Sequence, residues 1–206
     1  MKNRGFSLVE LIIVIAIMAI LAAAIAPALL RYLNKARKAD DMAAADSIGT
    51  TFQAAMTDDE EMYTWLSACA SPTNLNPNWG ASRPYRIVAY CNAPGGYSPS
   101  DFHLVTVYLG GVSGLNAHDF EVKMSEYLGE SYAPLKFKKP RYLDQWIICI
   151  DTSGKLSVWA GGGVGVSDAW IAGDGHIFNK TSKAYMLWPK CDSAYKMLNS
   201  PNQATW

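Results

Sequence analysis

The chain has 206 residues, half of them apolar and 12% aromatic, a composition that excludes a disordered chain. Lysine plus arginine equals aspartate plus glutamate at 18 each, so no global charge points to nucleic acid or to an acidic partner. The length suits one membrane-length segment followed by one globular domain of about 140 to 150 residues.

At the N-terminus, Lys2 and Arg4 precede an apolar stretch in which Leu11 to Leu30 carries no charge. As a helix this run reaches about 30 Å, the thickness of a bilayer's hydrocarbon core. Glu10 stands at its head, behind Phe6, Leu8 and Val9. A plain membrane anchor does not account for that acid. Neither does a cleaved secretory signal with its cut at Ala22-Ala23-Ala24 or Ala24-Ile25-Ala26, because a carboxylate in an apolar segment costs several kcal/mol.

Gly5-Phe6-Ser7-Leu8-Val9-Glu10 resembles the processing site of type IV prepilins and pseudopilins, with a short leader similar to the type IVa class. The resemblance rests on a basic leader, glycine, phenylalanine, glutamate, apolar run and proline in one register, over residues 1 to about 55. It implies cleavage between Gly5 and Phe6 by a prepilin peptidase, removing residues 1–5 and leaving N-methylated Phe6 as the first residue. Glu10 then becomes the acidic fifth residue, expected to meet the N-terminal amine of a neighbouring subunit and set the register of assembly. Pro27 falls where many pilins carry a helix-kinking proline, and a kink or local melting is expected there. Ala22, Ala23, Ala24, Ala26 and Ala28 allow close helix approach around it. Arg31, Lys35, Arg37 and Lys38 follow the run, which by the positive-inside rule opposes a cytoplasmic leader; the family keeps its leader in the cytoplasm regardless.

Beyond Leu30 the helix is expected to continue with an apolar stripe of Ala44, Ile48, Phe52 and Met56 at four-residue spacing. Arg37, Asp41, Asp46 and Gln53 are expected to stay in water, and Gly49 to weaken the helix slightly. Asp58 with Glu61 reads as a capping box for a second short helix from Asp59. Pro72, Asn74, Asn76, Pro77, Asn78 and Gly80 mark a loop. Strand character follows at Tyr85 to Cys91, His103 to Leu109, Gln145 to Asp151 and Leu156 to Ala160, the last two joined as a hairpin by Thr152-Ser153-Gly154-Lys155. Phe120, Val122, Met124 and Leu128 predict a short helix from Asn116 or Ala117 to Leu128. Gly161-Gly162-Gly163 begins a glycine-rich loop, and Asp192 to Leu198 reads as a closing helical turn. The fold class is α+β: a long N-terminal helix, membrane-spanning then amphipathic, packed against an antiparallel sheet. The divisions are a leader at 1–5, a transmembrane and filament-core helix at 6–30, its amphipathic half at 31–56 and a pilin head at 57–206.

Cys69, Cys91, Cys149 and Cys191 lie beyond the apolar run without a CxxC pair, so a zinc ribbon and a thioredoxin motif lack support. Outside the cytoplasm they suit two disulfides; otherwise they are buried thiols. The family's C-terminal disulfide loop implies Cys149 with Cys191, leaving Cys69 with Cys91. No GxSxG, HExxH or phosphate loop occurs, and His103, His118 and His176 are isolated, so no catalytic residue, metal site or cofactor is assigned. Tyr97, Trp159, Trp170, Trp188 and Trp206 fill a core or present an adhesive surface, with the core favoured by their density.

The resemblance implies a structural, non-enzymatic subunit, major or minor, of a type IV pilus. It would be a single-pass cell-membrane protein before assembly and part of an extracellular filament after it. Its implied partners are identical or related pilin subunits in a helical homopolymer, the prepilin peptidase, and an inner-membrane assembly platform with its motor. Adhesion to a host surface, twitching motility, aggregation and DNA uptake are the uses such filaments serve. A pseudopilin of a type II secretion or competence system shares the same N-terminus. A secreted or membrane-anchored binding domain or hydrolase is the alternative from another class.

Overall fold

The computed structural model describes residues 7–70, 85–91, 102–104, 117–128, 135–137, 143–151, 153–161, 170–171, 177–179 and 182–201. It begins with one long helix, α1 (Leu8–Asp58, 51 residues), about 75 Å from end to end. The helix passes through Pro27 without a break, so the melting expected there is not seen. A second helix, α2 (Glu60–Ala70), follows at once. Its cap is Asp59 rather than the expected Asp58: Oδ1 of Asp59 accepts the backbone N–H groups of Glu61 at 2.9 Å and Met62 at 3.1 Å. Lys123 then bonds Asp59 at 2.8 Å and also reaches Glu61. That contact joins the α1–α2 elbow to α3 (Ala117–Leu128), the helix expected from its apolar spacing.

The strands are β1 (Tyr85–Cys91), β2 (Phe102–Leu104), β3 (Gln145–Asp151), β4 (Leu156–Gly161), β5 (Trp170–Ile171), β6 (Ile177–Asn179) and β7 (Ser182–Trp188). They form one antiparallel sheet in the order β2-β1-β3-β4-β7-β6-β5. The expected β3–β4 hairpin is present, with Ile147 opposite Trp159. Its turn needs Gly154, which has φ +81°, and is stitched by Asp151, whose Oδ1 accepts from Ser153 and Lys155 backbone N–H groups at 2.8 and 2.9 Å. Strand β1 has the bounds its sequence predicts. Of the strand expected at 103–109, residues 103 and 104 lie in β2 and the rest lies outside the described residues, as do the loop at 72–80 and most of the glycine-rich loop. Helix α4 (Ser193–Met197) closes the chain where a helical turn is expected, capped by Asp192 accepting from Ala194 at 2.8 Å.

Alternation along β3 and β4 sorts the core. Trp146, Ile148, Ile150, Leu156, Val158 and Ala160 face the helices, packing with Ala45, Ile48 and Phe52 of α1, Met62, Trp65 and Leu66 of α2, and Phe120 and Met124 of α3. The Trp65 and Phe120 rings lie 4.4 Å apart between centroids. Trp159 and Trp188 are buried, as the core reading of the tryptophans expects. Tyr97 and Trp206, and the side chain of Trp170, fall outside the described residues. The second face of the central strands is buried too, at Ile147, Cys149 and Trp159. This is why β3 reads as an almost continuous apolar run rather than a half-wet strand.

The α+β class is therefore a long helix laid on an antiparallel sheet. Only the second half of α1 takes part in the packing.

Candidate assembly surface

From Leu8 to Leu33 no residue of α1 is buried. This stretch contains a helical segment long and apolar enough to cross a membrane, near the N-terminus. Ile, Leu, Val and Met lie bare on every side, which in water is unfavourable by about 25 cal/mol per Å² of apolar surface. A helix apolar all round is stable only in lipid or among other helices.

Glu10 occupies the third position of α1, and its Oε2 accepts the backbone N–H of Ser7 at 2.8 Å. Ser7 and Glu10 form a capping box, so within one chain the carboxylate closes its own helix end. The negative charge also suits the positive end of the helix dipole. Gly5 and Phe6, the expected processing pair, lie outside the described residues.

Where the bare rod meets the packed part, three residues of α1 hold the C-terminal segment. Asn34 Nδ2 donates to the carbonyl of Asn199 at 2.8 Å. Lys38 Nζ donates to the carbonyls of Lys196 and Leu198 at 2.6 and 2.7 Å and lies 5.7 Å from the Phe137 ring centroid. Asp41 is the third. Expected in water, it is only 1% exposed. Its Oδ1 accepts the backbone N–H of Lys136 at 2.7 Å, and its Oδ2 accepts the N–H of Phe137 and the hydroxyl of Tyr195, each at 2.8 Å. Burial pushes the Asp41 carboxyl above the usual aspartate range, against the opposing pull of those donors, and burial beside Asp41 pushes the Tyr195 phenol up as well. The signal for Asp41 was in the spacing: residues 41, 45, 48 and 52 share one face, and only its polarity argued for water. Arg37, Asp46 and Gln53 are exposed as expected.

Gly49 has a similar explanation. It lies against Trp188 of β7, whose indole occupies the place of a side chain on the helix. The helix weakness expected from glycine is the condition for that packing.

Of the two implied cysteine pairs, the described residues include the side chains of one, Cys149 with Cys191, and these two are not bonded to each other. Cys149 and Cys191 are free thiols. Cys149 points to the sheet face away from α1, whereas Cys191 packs against the core on the α1 side, so the sheet separates them. Cys69 and Cys91 lie in α2 and β1, with side chains outside the described residues, as are those of the three histidines. Among the described residues no group of three metal-ligating side chains occurs.

No curated protein and no solved structure matches the chain. Residues 1–26 match the family model of the prokaryotic N-terminal methylation motif, so the chain carries at its N-terminus the prepilin signal shared by type IV pilins and pseudopilins.

Proposed function

We propose that this chain is a structural subunit of a type IV pilus or a pilus-like filament. A prepilin peptidase cuts between Gly5 and Phe6 and methylates the new N-terminus. The bare half of α1 anchors the precursor in the membrane, and later packs with the same helices of other subunits to form the filament core. The sheet and its helices form the outward head. The observation that carries this reading is a wholly unburied apolar helix at Leu8–Leu33, in register with the methylation motif at residues 1–26.

In the bilayer Glu10 sits near the interface, within reach of water and closed onto Ser7. In a filament core, where the surroundings are dry, an unpaired carboxylate is costly and a cationic partner matters more. The amine of a neighbour's Phe6 supplies that partner.

N-terminal mass spectrometry of the exported chain tests the reading. A mature start at methylated Phe6 supports it, and a start near Ala24 to Ala26, or an uncut chain, overturns it. A pseudopilin gives the same mature start, and isolation of long extracellular filaments separates the two.

A further inference from the structure

After Leu30 the charges of α1 run Arg31, Lys35, Arg37, Lys38, Asp40, Asp41 and then Asp46, so the four basic side chains come before any acid. The first two acids are engaged by the head. Asp40 accepts from Lys136 Nζ at 2.9 Å, and Asp41 is buried under its three donors. Asp46 lies about 24 Å of helix beyond Leu30. Of the cations, Lys38 is committed to two carbonyls, whereas Arg31, Lys35 and Arg37 are exposed, with no ion-pair partner among the described residues. With a cytoplasmic leader this block stands on the outer side of the membrane, where the positive-inside rule expects few cations.

The same stretch of α1 sets the height of the head above a bilayer. Asn34, bonded to Asn199, is about 6 Å past Leu30 along the helix, and Lys38, bonded to Lys196 and Leu198, about 12 Å. The headgroup layer is about 5 to 8 Å deep on each side of the hydrocarbon core. The end of α4 and residue 199 therefore stand at or just above the headgroups. A helix tilt of about 20° toward α4, across an interaxial spacing of about 10 Å, lowers them by about 3 Å more. This rim presents Met197, 76% exposed, and Lys196, the one charged side chain from Ser193 to Trp206. Asp192 caps the opposite end of α4. At about 100° per residue, Arg31 and Arg37 flank the line through Asn34, Lys38 and Asp41, and Lys35 lies about a quarter turn from it. All three cations thus lie toward α4. Tyr32, also exposed, falls at the height where aromatic side chains favour the interface.

Building on the reading of α1 as a membrane anchor, we propose that before assembly this rim binds anionic phospholipid headgroups in the outer leaflet of the bilayer that α1 spans. Arg31, Lys35 and Arg37 of α1 and Lys196 of α4 sit against lipid phosphates, and Met197 enters the boundary between headgroups and acyl chains. The occupant is lipid because the rim is continuous with the membrane segment: Arg31 directly follows Leu30. Four cations with no free acid among them select the anionic class, since a zwitterionic headgroup brings no net charge. The head is then held down on the membrane, and lifting the subunit out breaks these contacts together.

Amine labelling in nanodiscs tests the contact. The full chain is placed one copy per disc, in phosphatidylcholine alone or with about one-third phosphatidylglycerol, and a water-soluble acylating reagent is read residue by residue by peptide mass spectrometry. Lys196 is the informative amine, because Lys35 lies near any bilayer that the helix spans. Lys123, bonded to Asp59 at the elbow about 40 Å of helix further on, is the reference. Relative to Lys123, Lys196 is expected to react about fivefold more slowly in the anionic discs than in the neutral ones, and about 0.5 M salt to abolish the difference. Arg31→Gln with Lys35→Gln and Arg37→Gln leaves the joint intact and is expected to shrink the difference to within about twofold. Equal reactivity in the two discs, in a chain shown to span them, overturns the proposal and leaves the anchor and filament reading intact. Slow reaction in both discs and in detergent assigns the shielding to the protein itself, and protection that needs two copies per disc assigns it to a second chain; either overturns lipid binding. A chain that does not span the discs overturns both readings.

Discussion

A side-chain carbon added to Gly49 would fall 2.3 Å from Cδ2 of Trp188. No pair of carbon atoms tolerates that distance, and the nearest atoms belong to a rigid ring in a buried site. Alanine in place of glycine favours a helix by about 1 kcal/mol. Overpacking here exceeds that gain, because Trp188 is fixed between α1 and the sheet. Gly49→Ala is expected to destabilise the protein by about 2 kcal/mol net, lowering the thermal midpoint in detergent by about 4 to 8 °C. A midpoint at or above that of the unmodified chain would show that helix propensity rules the site.

Asp41 provides a second prediction, with a sign in pH. Asp41→Asn turns an acceptor-only group into one that points an amide hydrogen at existing donors, and is expected to cost about 2 to 4 kcal/mol in denaturant unfolding. Tyr195→Phe removes one donor and keeps the ring packing, and is expected to cost about 1 kcal/mol. The raised Asp41 carboxyl makes its contribution complete below its unfolded value of 3.8, and that contribution is lost as pH rises through the higher folded value. The stability difference between the unmodified chain and Asp41→Asn is therefore expected to shrink as pH climbs above 3.8. A difference that grows over that window contradicts burial as the dominant influence on this acid.

For the cysteines, thiol labelling separates two environments. Cys149 is fully buried and its thiol is pushed well up by that burial, so it is expected to stay unlabelled until the protein unfolds. Cys191 is partly exposed and is expected to react in the folded state, slowly, because burial also raises its thiol. Peptide mapping under non-reducing conditions is expected to show no Cys149–Cys191 bridge; finding one would require a rearrangement of β3 relative to the segment after β7.

At Glu10 two substitutions separate capping from charge. Glutamine keeps the ability to close the Ser7 N–H, whereas valine removes both the bond and the charge. Glu10→Gln and Glu10→Val are both expected to insert into membranes normally and both to impair assembly, by tenfold or more in order of magnitude, as measured by sheared-filament yield. Normal filaments from Glu10→Gln would mean that the helix cap, not the charge, is the contribution of this residue.

Much of the fold was legible because the strong signals are local. The apolar run and Glu10, the stripe through Ile48 and Phe52, the Phe120–Met124–Leu128 helix and the β3–β4 hairpin are each fixed by spacing within a few residues. What was missed depends on partners far along the chain. Asp41 is buried because donors from residues 136, 137 and 195 converge on it. Gly49 is required because of Trp188, and Cys149 and Cys191 are separated by a sheet whose strand order no local pattern states. Strand β7, which carries Trp188, was itself unread, since Ser182 to Trp188 alternates poorly between polar and apolar residues.

The grip on α1 by α4 and the residues beside it has a mechanical consequence. Asn34, Lys38 and Asp41, about one helical turn apart, are held by Asn199, by Lys196 and Leu198, and by Tyr195. Turning the bare half of α1 about its own axis at this joint would break all of these bonds together, so the joint transmits torque instead of letting the rod spin freely.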